Sequence, residues 1–334
     1  MHNKKKQWVQ ALYFLLFVAG VYLTGLYLTS APGGSAPAVA TQGEDSIDVK
    51  RMKRHVTALA EIGERRAKVK GNLDRAHEYI EVQLRRMGHQ VVEQEYMLNG
   101  LTYTNLEVEI PGEGLANEIV VIGAHYDTHR KSPGASDNAS GCAVLLDLAQ
   151  RLRHEAGPRT LRLVFFTLGE WPHLRTDNQG SRQWLMAAKR RGDNIVAMLS
   201  IDSVGVFYDH PGSQSYPPLL NFYYPSEGNF LGFLGNISSR DLVRTSTKLF
   251  RDARRMPAES LIAPGWGPSV SMSDHWSFWQ EGIPAVLVTD TMGWRNQSHH
   301  DPLDTADGLD YGRMVLVAEG MVEVCRGLRL TPSL

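Results

Sequence analysis

The segment EIVVIGAHYDT, residues 118–128, shows most directly how this chain folds. It opens with a nearly continuous apolar run and ends in polar side chains. Three further apolar runs of this kind lie at residues 161–168, 195–202 and 285–289. Strands that are buried on both faces by helices have such sequences, and helical patterns lie between the runs. The sequence therefore predicts an α/β fold, a three-layer sandwich with a mainly parallel central sheet.

Amphipathic patterns predict the helices that cover this sheet. They lie at residues 55–63, 75–88, 142–156, 181–191 and 306–328. Residues 102–110 alternate between apolar and polar side chains, which is typical of an edge or antiparallel strand. Residues 207–272 are rich in aromatic residues, glycine and proline, and they fit the alternation poorly. We interpret them as a long excursion with one helix at 239–253, which either shapes a pocket or is a plain surface insertion.

The composition excludes several classes of protein. The chain has 334 residues, a formal net charge of −1 and a pI near 6.9, with 43% hydrophobic and 21% charged residues. These values are typical of globular proteins and exclude a fibrous or mostly disordered chain. They also argue against a nucleic-acid partner, because no basic stripe extends beyond short runs such as 189–191. Cys142 and Cys325 are too few for a disulfide framework, although they could form one bridge.

The N-terminal segment predicts a membrane anchor. Residues 8–28 carry no charge, and their length suffices to cross a bilayer core as a helix. A cleaved signal peptide is the alternative, but its apolar core is usually shorter, about 7–15 residues. Lysines within residues 1–7 predict a cytoplasmic tail, which places the rest of the chain outside the cytoplasm. Residues 29–46 then form a flexible linker, and residues 47–334 form an extracytoplasmic domain on a single-pass anchor in the cell membrane.

Acidic and histidine side chains gather at the ends of the predicted buried strands. The candidate metal ligands are His125, Asp137, Glu170, Asp202 and His300. Carboxylate and imidazole groups suit zinc or a similar divalent metal. Two histidines and three carboxylates are enough for two metals that share one bridging carboxylate. Such a pair activates a water and stabilises a tetrahedral oxyanion.

The order of short motifs along the chain carries a family resemblance. The motifs are HYDT at 125–128, SDNASG at 136–141, GE at 169–170, IDSVG at 201–205, SDHWSFWQEGIPAV at 273–286 and HHDPLDT at 299–305. In this the chain resembles the di-zinc aminopeptidases of metallopeptidase family twenty-eight, which also contains glutaminyl cyclases. The resemblance covers nearly the whole body of the chain. It implies a zinc exopeptidase-like fold and about two zinc ions per chain.

The resemblance also implies a role for each candidate ligand. His125 and Asp202 match ligands of different metals, and Asp137 matches the carboxylate that bridges the two. Glu170 and His300 match the remaining ligands.

The resemblance also concerns three positions next to these ligands. Asp127 resembles the carboxylate that orients His125, and the peptide after Asp137 is expected to be cis. His299 could be the ligand in place of His300, but the spacing to Asp304 selects His300.

Gly169 is the departure from the family pattern. The family has two consecutive glutamates here, of which the first is the general base and the second a metal ligand. The chain aligns Gly169 with the base and Glu170 with the ligand, while sliding the alignment by one would make Glu170 the base and remove a ligand. A positioned base contributes about 10²–10⁴-fold to the rate. If the base is simply missing, Gly169→Glu is expected to raise turnover, unless Trp171 fills the space.

Three outcomes remain open for the position of Gly169. The enzyme is slow, another residue such as Glu259, Asp177 or His173 serves as the base, or the domain binds peptides without catalysis.

The sequence therefore supports three functions. The first is a membrane-anchored, zinc-dependent exopeptidase that removes N-terminal residues from peptides by metal-activated water. The second is a catalytically impaired pseudo-peptidase that binds peptides. The third is a glutaminyl cyclase-like acyltransferase, which fits less well because that chemistry retains the glutamate base. The candidate substrate-pocket residues are His275, Trp266 and Tyr224, and the oligomeric state cannot be predicted.

Overall fold

A mixed sheet of eight strands forms the centre of the molecule. The computed structural model describes residues 43–267 and 270–331, together with residues 8, 12, 13, 17, 20, 25 and 41. The strands are β1 Val92–Leu98, β2 Leu101–Ile110, β3 Leu115–His125, β4 Arg159–Phe166, β5 Asn194–Ile201, β6 Leu231–Gly235, β7 Ala258–Ile262 and β8 Ala285–Thr289. Their spatial order is β1-β2-β4-β3-β5-β8-β6-β7. The central pairings β4–β3, β3–β5 and β5–β8 are parallel, which confirms the predicted α/β class.

Helices cover both faces of this sheet. They are α1 Ile47–Ala60, α2 Lys70–Arg86, α3 Gly141–Leu152, α4 Gly180–Arg191, α5 Arg240–Asp252, α6 His275–Trp279 and α7 Tyr311–Leu330. Strand β3 shows how the layers form, because Val120 and Ile122 enter the larger core while Ile119 and Val121 enter the smaller one. The larger core contains apolar side chains of α1, α2, α3, α5 and α7. The smaller core contains those of α4 and α6.

The C-terminal half of the sheet differs from its prediction. Residues 207–272 contain one helix, α5, as expected, but they also contain the strands β6 and β7. These two strands pair in parallel, and β6 pairs with β8 in antiparallel orientation. Strand β7 therefore forms this edge of the sheet. Each strand is only five residues long, and β6 has the sequence LGFLG, whose glycines interrupt the apolar run. At the other edge, β2 is antiparallel as predicted, but β1 pairs outside it.

Two further predictions concern the cysteines and the anchor. Cys142 and Cys325 are both buried and free, so they form no bridge with each other. Among the residues that the structure describes, no helix is long and apolar enough to cross a membrane. The predicted tail at 1–7, and most of the anchor at 8–28 and of the linker at 29–46, lie outside the described residues.

We expect residues 43–334, produced alone, to be a folded and monodisperse protein. Helix α1 has its N-cap at Ser46, whose side chain accepts from the backbone N–H of Asp48, and it buries Met52 and Val56 in the larger core. A cooperative thermal transition and a single species in size-exclusion chromatography would support this expectation. A matched fragment that starts at residue 62 lacks α1 and should be strongly destabilised, since each large apolar side chain lost from a core costs about 2–5 kcal/mol. Aggregation of the longer fragment would contradict the predicted domain boundary.

Candidate metal centre

The site lies where three parallel strands end. His125 is the last residue of β3, Asp202 follows β5 directly, and Glu170 lies four residues after the end of β4. Because parallel neighbours end at the same edge of a sheet, their C-terminal residues approach one another. Asp137 comes from the segment before α3, and His300 comes from the loop after β8. The structure thus brings all five predicted ligands to one place.

Asp137 lies at the centre of this cluster. The Nε2 atom of His125 is 3.4 Å from Asp137 Oδ1 and 3.4 Å from Asp202 Oδ2. On the other side, the Nε2 atom of His300 is 3.0 Å from Asp137 Oδ2 and 3.2 Å from Glu170 Oε1. One carboxylate therefore has a separate group of ligands at each of its oxygens, as a bridging role requires.

The grouping corrects one expectation. The family resemblance was interpreted to assign His125 and Asp202 to different metals, but both face the same oxygen side of Asp137. The reason is the strand order, because β3 and β5 are direct parallel neighbours. His125 and Asp202 therefore fall into one group of potential ligands around Asp137, and His300 falls into the other, where Glu170 lies 3.2 Å from it.

Asp127 contacts both His125 and the turn that follows β4. Its Oδ1 atom lies 3.3 Å from Nδ1 of His125. The same carboxylate accepts hydrogen bonds from the backbone N–H groups of Gly169 at 2.7 Å and Glu170 at 3.1 Å. A carboxylate at the far nitrogen of a ligating imidazole fixes the ring orientation. Asp127 is thus placed for its predicted role, and it also positions the turn that carries Glu170.

Two features define the backbone around Asp137. The Asp137–Asn138 peptide is cis, which confirms the expectation. The carboxylate of Asp304 accepts from the backbone N–H groups of Ser136 at 2.8 Å and of Asp137 at 3.1 Å. In the sequence, Asp304 serves only as the reference for the spacing to His300. Its position in the HHDPLDT motif was the available signal for this supporting role.

Charges in the cluster shift the pKa values of its members in opposite directions. Burial opposes ionisation of Asp137, yet the imidazoles of His125 and His300 hold its pKa well below the ordinary value. Burial raises the pKa of Glu170 to about 7, and the negative charge of Asp137 contributes to this shift. Burial opposes protonation of His300, but Asp137 and Glu170 raise its pKa to about 10. Without a metal, protonated imidazoles therefore neutralise the Asp137 carboxylate, and a metal ion that binds here takes the place of those protons.

The donor atoms themselves fit a metal. Asp137 Oδ1 and Glu170 Oε1 are buried and receive no hydrogen bond from the described part of the chain, and the same holds for Nδ1 of His299. A buried polar atom without a partner is costly, and a metal ion satisfies such atoms. Carboxylate oxygens and imidazole nitrogens are donors that zinc accepts. The set is therefore suited to zinc.

Gly169 is crowded by a metal ligand. A Cβ atom added at this position would lie 2.5 Å from both Cβ and Cγ of His125. The positive φ in this turn belongs to Leu168, at 51°. The Trp171 side chain is 55% exposed. The glycine is required because the backbone here passes directly against the His125 ring.

The proposed substitutes for the base have different environments. Glu259 lies in β7 rather than in a loop, and it is buried next to Arg251. Asp177 has an exposed side chain that pairs with Arg182. His173 is half-buried, and burial lowers its pKa.

A cavity of about 450 Å³ adjoins the cluster. Its walls are mostly apolar and aromatic, and they include Tyr216, Tyr224, Phe230, Met272 and Trp294. Glu259 and His299 also line it. Because Nδ1 of His299 lies 3.3 Å from Asp137 Oδ2, this side chain joins the cavity to the metal centre.

Two of the three predicted pocket residues lie elsewhere. Tyr224 lines the cavity as predicted. His275 is fully buried beneath the surface, where its Nε2 atom lies 2.7 Å from the carbonyl oxygen of Val270. Trp266 is 80% exposed. Neither of these two is among the residues that line this cavity, and their assignment to a substrate pocket stays a prediction.

The fold and this cluster are those of a metallopeptidase, and the comparison with known families agrees. Residues 105–325 match the model of Peptidase family M28, which covers more than half of the chain. The chain belongs to this family.

Individual relatives extend the comparison. The Escherichia coli protein YfbL, itself uncharacterized, is 35% identical over 75% of this chain and 79% of its own length. The LapA aminopeptidase of Legionella pneumophila shares the fold with a TM-score of 0.67 and 18% identity, over 88% of this chain and 77% of LapA. A glutaminyl cyclase of Bacteroides thetaiotaomicron shares it with a TM-score of 0.61 and 16% identity, over 85% and 98% of the two chains. At such identities the structural matches show the zinc exopeptidase-like fold alone.

Proposed function

We propose that the chain is a zinc-dependent aminopeptidase that holds two zinc ions. The observation that carries this proposal is the ligand cluster around Asp137, which opens through His299 into an apolar cavity. His125, Asp137 and Asp202 would hold one ion, and Asp137, Glu170 and His300 would hold the other. Zinc in such a site acts as a Lewis acid on a carbonyl and lowers the pKa of a water to about 7. The match of residues 105–325 to Peptidase family M28 supports a peptidase.

The protein's own residues would position the substrate. The cavity has the volume of a small ligand pocket, and its aromatic and apolar walls suit one large apolar side chain. Asp127 keeps the His125 ring in a fixed orientation, and Asp304 fixes the Asp137 loop. Gly169 provides no side chain, so proton transfer lacks the glutamate that usually serves this family. We therefore expect turnover below that of a member that has the base, by something up to the 10²–10⁴-fold that a base contributes.

We also propose that the chain is anchored in the cell membrane by residues 8–28, with residues 47–334 outside the cytoplasm. The support is the uncharged length of this segment and the lysines that precede it. Resistance of the full chain to alkaline extraction from membranes, together with its digestion by protease added outside the inner membrane, is the expected result. Release of the chain into the soluble fraction would exclude the anchor.

The test of the activity uses the full chain in detergent at known zinc content. We expect slow release of the aniline from large apolar aminoacyl anilides and none from their N-acetylated forms, because an aminopeptidase requires a free α-amine. The control variant Asp137→Asn should abolish this release. Measured peptide binding without any turnover, at two zinc ions per chain, would replace the proposal with the pseudo-peptidase, which Gly169 favours. Formation of pyroglutamate from N-terminal glutamine would replace it with the cyclase.

A further inference from the structure

We propose that His299 is an additional metal ligand, through Nδ1, at the position formed by Asp137, Glu170 and His300. The inference rests on the proposed metal centre. It goes beyond it because the family resemblance supplies one histidine at this position, whereas this chain has two in succession.

The distances favour ligation by both histidines. Nδ1 of His299 lies 3.3 Å and Nε2 of His300 lies 3.0 Å from the same oxygen, Oδ2 of Asp137. The donor atoms of these three residues all lie within 4.8 Å of one another. Two ligands of a tetrahedral zinc ion are about 3.3 Å apart, given zinc–nitrogen bonds of about 2.0–2.1 Å. A closing movement of the order of 1 Å therefore brings both imidazoles onto one ion.

The backbone explains how neighbouring side chains reach the same point. Successive side chains of an extended segment point in opposite directions. His300 instead has a left-handed φ of 63°, and the rings of His299 and His300 are stacked with centroids 3.9 Å apart and planes inclined by 22°. The turn thus presents Nδ1 of one ring and Nε2 of the next to Asp137.

Nδ1 of His299 faces the carboxylate of Asp137 at 3.3 Å. This atom is buried and has no hydrogen-bond partner in the described ranges. A ring that served only as a cavity wall would have no need to direct a buried nitrogen at a carboxylate. Ligation to a metal satisfies this nitrogen.

His129 provides an internal comparison. Its ring stacks on the opposite face of His300, with centroids 4.1 Å apart and planes inclined by 10°. Its Nδ1 atom is also buried without a hydrogen-bond partner among the described residues. Yet His129 does not belong to either group of potential ligands around Asp137. The two histidines thus share the stacking contact with His300 and differ in their access to the metal position.

The additional ligand makes the two metal positions unequal. Asp137, His299 and His300 form one group of close donor atoms, and Glu170 lies 3.2 Å from Nε2 of His300. This position would thus have up to four protein ligands, the number in closed structural zinc sites. His125, Asp137 and Asp202 offer three, which is the number in catalytic sites with an open position. The two positions would therefore differ in the number of coordination places that they leave for water or substrate.

The test compares His299→Gln and His299→Ala with His129→Gln in the full chain. Zinc affinity is measured by competition with a chelator, and the cobalt-substituted protein is examined by visible absorption. We expect both His299 variants to bind one of the two ions at least about 10-fold more weakly, because loss of even an outer partner of a ligand costs about 10–100-fold. The cobalt spectrum should change in intensity as a nitrogen ligand is lost. His129→Gln keeps every proposed ligand and removes only a ring that stacks on His300, so zinc affinity should fall less than in either His299 variant.

Each outcome separates this inference from the proposed function. Wild-type affinities and an unchanged cobalt spectrum in both His299 variants would overturn the inference, and aminopeptidase activity would still stand. Weakened binding in a protein that hydrolyses nothing would support the inference and overturn the activity. A wild-type chain that binds no zinc would overturn both. Thermal unfolding of each variant shows whether a loss of affinity reflects a loss of fold.

Discussion

Asp137→Ala is expected to remove both metal ions together, whereas Glu170→Ala removes one. Asp137 presents one oxygen to His125 at 3.4 Å and the other to His300 at 3.0 Å. Each metal position therefore loses a ligand in the same substitution. The affinity for each ion should fall by more than about 100-fold, which is the upper range for losing only an outer partner. Metal content after gel filtration, measured by atomic emission, gives the count.

A matched control separates this effect from the cost of losing a buried carboxylate. Asp147 of α3 is 2% exposed and pairs with Arg51 of α1 and with Arg151. Asp147→Ala should lower the free energy of unfolding and leave two zinc ions per chain. If Asp137→Ala kept one ion at wild-type affinity, Asp137 would serve a single metal and the bridging assignment would be wrong.

The sequence predicted the location of the site because the candidate ligands come directly after, or shortly after, the ends of predicted strands. His125, Glu170 and Asp202 come after apolar runs that are long enough to identify, and β3, β4 and β5 are indeed parallel neighbours. The grouping of ligands was not predicted correctly, because it depends on the order β4-β3-β5. Strand order is a tertiary property that apolar runs do not encode.

Two other features required the three-dimensional structure. Strands β6 and β7 are short, and the glycines of β6 allow close packing, since a Cβ at Gly235 would lie 2.4 Å from Val243 of α5. Such a strand lacks the continuous apolar run by which the others were predicted. His299 was set aside because the spacing to Asp304 selects a single histidine. Only the left-handed turn at His300 brings both imidazoles to Asp137.

Gly169→Glu is expected to lower activity, in contrast to the gain that the sequence alone predicted. The alignment treats residue 169 as an empty position for a base, but a Cβ there would lie 2.5 Å from Cβ and Cγ of His125. Any side chain must therefore displace a metal ligand or the turn that Asp127 holds. A displacement of about 1 Å in a catalytic site can cost about 100-fold in rate. We expect kcat/KM to fall by about that factor, with weaker zinc binding on the His125 side.

A comparison of three variants distinguishes steric crowding of His125 from the effect of the absent general base. Gly169→Ala adds only the Cβ atom, so it should cause most of the loss seen with Gly169→Glu. Gly71→Glu introduces the same side chain on α2, where a Cβ would meet nothing within 4 Å, and it should retain wild-type activity and metal content. Zinc affinity and aminoacyl-anilide hydrolysis are measured for all three at equal metal loading. Faster turnover of Gly169→Glu than of wild type, with both ions retained, would show that the turn yields and that the absent base limits the rate. The crowding of His125 makes the opposite result the expected one, because the residue that would supply the base displaces the imidazole that holds the metal.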